Sequence, residues 1–379
     1  MKIVDFLNNR KNGKDMPMLS FSQASIIVFT LFCCTLIPAS GFAEWGCAAA
    51  SVVCFAFLLL AVRSRAAVLT IAIPALFAYF ATASFLLPSL ILSIPVSVGA
   101  GAFLVNGVRK YYLLALIPAF YFISFALCTN WMISLLSLIG LPAIIVLAHA
   151  AHTNAPRLGA ICRISVTLAI MLLLCLIPVL SFSNIGFSLD AIRSAIDSAK
   201  ATVVSWLEAQ MALDPMLFEA LGVSAEQYAS AAFAILPALI ICSLNFISFS
   251  AQQINLSLMK ASEFSKFVSQ SASEFIMSPA AAVTFFGAIL LMVISPNIGN
   301  GAVGSLAENL FMIFMPGLVL VGLMRSLGKY GKKRFGFFTI VFFVMLFLTQ
   351  TWIWLILMSV IGAFTVLMTA FSGKKKKTT

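Results

Sequence analysis

AEQYASAAFAILPALIICSLNFISFSAQQINLSLMK, residues 225–260, decides how the rest of the chain is read. It is apolar and carries no charge from Gln227 to Met259. At 1.5 Å per residue a helix of this length runs roughly 50 Å, more than the about 30 Å of a bilayer's hydrocarbon core. Helical spacing predicts one face made of Gln227, Ala231, Ala234, Ala238, Ile241, Asn245, Ser248, Gln252 and Asn255. Small residues fill its first half, amides and hydroxyls its second. Hydrocarbon offers a polar side chain no partner, so such a face turns to protein or to water. The stretch is therefore expected to be the inward-facing spine of a helix bundle. Small and amide residues also glue helices together, so the same face has a structural reading beside the functional one.

The composition agrees. The chain has 379 residues, of which 62% are hydrophobic and only 9% charged. Its mean hydropathy is +1.09. A soluble core of this size does not need so much apolar surface, so the expected class is an all-α polytopic transmembrane bundle. The net charge of +11 raises nucleic acid as a partner. The basic runs lack the aromatic interleaving of such sites, and anionic headgroups are the natural neighbours of Lys374–Lys377. The lipid bilayer is thus the expected partner, and nucleic acid is not. Eight cysteines are present, none in a CxxC pair. They read as small buried hydrophobes, not as disulfides or metal ligands.

In chain order, residues 1–18 form a polar, basic tail. The segment 20–40 ends in PASGFAEW and has the outline of a signal peptide. The spans that follow make it the first transmembrane helix instead. Further spans are expected at about 44–62, 66–86, 89–106, 112–129, 133–151 and 160–182, giving a 19–182 bundle of about seven spans. Residues 183–225 are an acidic insert. Leu189, Ile192, Ile196, Val203, Trp206 and Met211 recur on one face, with Ser188 as N-cap and Asp190 in the first turn. This predicts an amphipathic helix over 189–212, on the membrane surface or as a lid over a cavity. After the spine helix comes a second amphipathic stretch with Phe264, Phe267, Val268 and Phe275 on its apolar side. Spans at about 279–296 and 304–326 follow. Residues 335–372 are too long for one crossing and divide near Gln350. The 226–372 bundle thus has about five spans, and 373–379 is a basic tail.

Twelve crossings with both termini cytoplasmic give a consistent charge map. Of the 23 Lys and Arg residues, only Arg193 and Lys200 then fall outside. Trp45, Trp131, Trp206, Trp352 and Trp354 all reach the outer interface, where amphipathic rings concentrate. One tilted helix over 335–372 is the eleven-span alternative, which puts Lys374–Lys377 outside.

No GxSxG, HExxH or Walker loop is present, so no enzyme and no cofactor is expected. His149 and His152 have a metal-compatible i, i+3 spacing but no nearby carboxylate or thiolate in sequence, and read as an interfacial pair. Glu308, in GSLAENLFMIFMPG, is expected one turn inside the outer surface beside Asn309. An acid there needs a wet cavity or a partner. Pro316-Gly317 interrupts the same helix, and broken helices line transport sites. The candidate substrate contacts are Asn245, Ser248, Gln252, Asn255, Glu308 and Asn309, with no catalytic or metal-binding residue.

The order of features resembles the bacterial membrane family with a DUF2232 domain. An acidic outer insert is followed by an LPALIICSLNFISF core, an aromatic link, ENLFMIFMPGLVLVGLMRSLGK and two closing spans. The likeness rests on Leu236-Pro237-Ala238, Asn245, Asn309 and Gly317 in context, best from about 160 to 372. The FSGKKKK tail departs from that family, which often has an Asp and a closing Arg near the last span. The resemblance implies kinship with S components of energy-coupling-factor transporters. It implies a small-molecule ligand, carriage inward, an energising membrane subunit and a bacterial inner membrane. Ala115-xxx-Ala119 and Ala234-xxx-Ala238 match the docking pattern of such components. A scaffold or assembly protein is the alternative reading.

Overall fold

The computed structural model describes residues 19–20, 24, 86–108, 139–182, 188–213, 224–262, 264–265, 277–298, 301–328 and 352–375. The helices among them are α1 (Leu86–Gly107), α2 (Gly140–His152), α3 (Arg157–Phe182), α4 (Leu189–Leu213) and α5 (Ala225–Ala234). They continue with α6 (Leu236–Ala261), α7 (Pro279–Ile298), α8 (Gly301–Gly328) and α9 (Trp352–Lys375). No strand occurs among the described residues. The all-α expectation holds there. Five helices, α3 and α6 to α9, are long and apolar enough to cross a membrane. The spans expected at 20–40, 44–62, 112–129 and in the first half of 335–372 lie outside the described residues, as does nearly all of 66–86.

Exposed apolar stripes mark this as a membrane protein. On α3, Val166, Ile170, Leu173 and Ile177 are exposed at three- and four-residue intervals. The opposite face buries Ala160, Ile161, Ile164 and Leu168. On α9, Phe364, Met368 and Phe371 are exposed while Ser359, Ala363 and Val366 are buried. Water does not tolerate contiguous apolar faces of this size, whereas acyl chains do.

Contacts divide the chain into two units, 1–182 with 244–274 and 183–243 with 275–379. The division falls inside α6. In the first unit α2 packs on both α1 and α3. Gly99 of α1 lies against α6: a Cβ there would meet Ala251 O at 2.7 Å and Ile254 Cβ at 2.8 Å. In lipid there is little water to expel between helices, so such close backbone approach is itself the attraction. Phe103 and Phe264 meet edge to face at 5.5 Å, which gives Phe264 the apolar role read from the sequence. Phe267, Val268 and Phe275 lie outside the described residues.

In the second unit α7, α8 and α9 pack pairwise. Where α8 crosses α9, a Cβ on Gly322 would strike the Met358 carbonyl and one on Gly362 the Leu318 carbonyl. Phe285 of α7 stacks on Phe311 of α8 at 5.2 Å. The expected amphipathic helix is α4. Ser188 Oγ accepts the Ala191 N–H at 3.1 Å as its cap, and Asp190 stands in the first turn. Leu207, with Val203, Val204 and Met211, packs on Ala225 and Ala229 of α5. Ile196 and Trp206 stay exposed, Trp206 at 59%.

The expected continuous spine is two helices. Ile235 is the C-cap of α5, and α6 opens with Leu236-Pro237. Proline has no N–H to give and suits the first turn of a new helix. Ser224 and Gln227 form a capping box at the start of α5: Ser224 Oγ accepts the Gln227 N–H and Gln227 Oε1 accepts the Ser224 N–H.

Candidate functional site

The polar face of α6 is turned inward only past the break. Gln227 and Ala231 on α5 are exposed, whereas Ala238, Ser248, Gln252 and Asn255 on α6 are buried and Asn245 is half-buried. Ile241 is exposed. The predicted stripe therefore does not run buried through both helices.

Asn245 and Ser248 share one partner that the sequence did not suggest. The Ser165 hydroxyl of α3 donates to Asn245 Oδ1 at 2.8 Å, and its Oγ lies 2.9 Å from Ser248 Oγ. Ser248 also reaches back to the Leu244 carbonyl at 2.7 Å. A serine in an otherwise apolar span was the available signal.

Gln252 and Asn255 stand one turn further along. Gln252 Nε2 donates to the Arg157 carbonyl at 3.3 Å. Asn255 is fully buried, and neither Oδ1 nor Nδ2 has a hydrogen-bond partner in the protein; Gln252 Oε1 has none either. Both residues line a cavity of about 20 Å³ with Leu147, Asn154, Leu256 and Met259. The cavity's other wall is a helix terminus. At the end of α2, Asn154 N–H donates to Ala151 O at 3.3 Å and Ala155 N–H to Ala150 O at 2.9 Å. Asn154 takes a positive φ of 48°. This is a Schellman ending with asparagine in the left-handed position, Ala155 packed on Ala150, and Pro156 next.

Arg157, read from sequence only as one of the charges in an inner link, is buried. Its guanidinium carbon sits 5.2 Å from the Phe249 ring centroid, a cation–π distance. Asn106 of α1 is buried too, with Nδ2 donating to Ala148 O at 3.4 Å.

Glu308 and Asn309 belong to the second unit. Glu308 is exposed. Asn309 is committed to backbone: Oδ1 accepts the Ala238 N–H at 3.0 Å, while Nδ2 donates to Ala234 O at 2.8 Å and Ser305 O at 2.7 Å. Cys242 Sγ donates to Met312 O at 3.2 Å. Of the other cysteines described, Cys175 is buried and Cys162 exposed. The exposed Cys162 departs from the expectation of buried cysteines.

His149 is half-buried and His152 exposed at the end of α2. Among the described residues no three His, Cys, Asp or Glu side chains gather as a metal site would require. The run GNGAVG at 299–304 has the glycine spacing of a dinucleotide site. It follows α7 and leads into α8, without the strand that motif requires. The arrangement can hold small hydrogen-bonding groups along α6. No family model, curated protein or solved structure matches the chain.

Proposed function

We propose that this protein binds a small polar molecule within the membrane and carries it across, with the inner half of α6 as its contact surface. One observation carries this reading. α6, a helix apolar enough to cross a bilayer, buries Ser248, Gln252 and Asn255 and half-buries Asn245. Polar side chains in a spanning helix are costly and mark substrate paths. The cavity beside Gln252 and Asn255 has room for a water-sized group only, so a larger ligand enters as the helices part. Glu308, exposed on α8, is a separate candidate contact, supported by its charge on a helix apolar enough to span. The likeness to S components of energy-coupling-factor transporters supports an energising membrane subunit as partner. It also supports a bacterial inner membrane, and the charge map supports twelve spans with cytoplasmic termini.

Mass spectrometry of polar molecules co-purifying with the protein tests the reading. A compound retained by the parent and lost from Asn245→Leu, at equal protein abundance, is the expected result. Identical extracts from both remove Asn245 from the site. Once the compound is known, its uptake should fall in the same variant.

A second reading, a scaffold or assembly protein, is favoured by the commitments of Asn245 and Ser248 to Ser165 and of Asn309 to backbone. It expects no retained compound and a stable protein complex recovered by crosslinking.

A further inference from the structure

We propose that the cavity between the Schellman end of α2 and the inner half of α6 is a binding site for one ordered water molecule, held by Asn255 and Gln252. The size sets the class of ligand. About 20 Å³ exceeds the roughly 10–15 Å³ that one water needs and leaves no room for an organic molecule. The chemistry points the same way. Asn255 is fully buried with a donor and an acceptor that no protein group meets, and Gln252 Oε1 adds a second acceptor. A water molecule can accept from Asn255 Nδ2 and donate to Gln252 Oε1. A bare cation would take the oxygens but leave the Asn255 N–H groups unmet. An apolar filling would leave all of them unmet, at a cost comparable to several lost hydrogen bonds. Leu147, Leu256 and Met259 supply apolar lining. The site stands whether or not the protein carries a ligand.

Met259 reports on it directly. Its side chain lines the cavity and is 1% exposed; Met315, in the second unit, is 7% exposed and lines no part of it. Pulsed X-ray radiolysis of the full chain in lipid nanodiscs generates hydroxyl radicals from bound as well as bulk water. The expected result is oxidation of Met259 several-fold faster than of Met315, falling to the Met315 rate in Asn255→Leu. Oxidation of Met259 no faster than Met315 in the parent overturns the proposal. So does a folded Asn255→Leu that leaves the Met259 rate unchanged. If Asn255→Leu does not accumulate, the parent comparison decides alone.

Discussion

Asn309 Oδ1 accepts the backbone N–H of Ala238, and the same amide donates to the Ala234 carbonyl. Those two backbone groups are the i and i+4 ends of a hydrogen bond that an unbroken helix would close on itself. The side chain from α8 has been inserted between them, and Ser305 O anchors the amide from its own helix. The break before Pro237 therefore leaves neither group bare in a setting where lipid could not satisfy it.

Asn309→Leu should destabilise the protein by about 1–3 kcal/mol, the cost of stranding buried backbone donors and acceptors. Thermal unfolding in detergent measures it. Asn309→Asp keeps the acceptor for Ala238 and should fall between the parent and the leucine variant. Pro237→Ala restores an N–H and lets the helix close, so it should offset part of the Asn309→Leu loss. A double-mutant cycle with no coupling would contradict the wedge.

That contact shows what the sequence could and could not carry. The length and apolarity of 225–260 were enough to make a membrane helix of it, and the helical period put Ser248, Gln252 and Asn255 on a buried face. The break was half visible: Pro237 and the capping pair Ser224 and Gln227 are local signals, but the absence of any charge argued for continuity. Gln227 and Ala231 are exposed because α5 is a separate short helix that turns Ala225 and Ala229 to its neighbours instead. The partners of the polar residues were not legible. Ser165 is 80 residues from Asn245, and Asn309 is 71 from Ala238. Composition cannot say which helices become neighbours. A side-chain amide also serves as a backbone surrogate, and Asn309 makes such bonds to Ala238 and Ala234.

Ser165→Ala should lower stability by about 0.6 kcal/mol, typical of one interhelical hydrogen bond in a membrane. Adding Asn245→Ala should then cost little more, since both substitutions remove the same bond. Full additivity in unfolding measurements would show that the two side chains do not act together.

The α8–α9 crossing predicts a larger effect. A methyl group on Gly362 meets the Leu318 carbonyl, which is backbone and cannot rotate away. Gly362→Ala should cost about 1–3 kcal/mol, as overpacking does, and Gly362→Val more. Unfolding in detergent should rank parent, alanine and valine in that order.

At the end of α2, Asn154 holds φ at 48°, a conformation that costs an ordinary L-residue about 1–2 kcal/mol. Asn154→Ala should lose about 1 kcal/mol, while Asn154→Gly should match the parent or exceed it. Equal stability of the alanine and glycine variants would contradict the left-handed cap.

α6, α7 and α8 are each long and apolar enough to cross the bilayer. Three crossings put Lys200 and Lys329 on opposite sides, and the positive charges that follow α8 predict the cytoplasm for Lys329. Paired topology reporters fused after each residue measure this directly. The account predicts an outer signal after Lys200 and a cytoplasmic one after Lys329; both reporters in one compartment would contradict it.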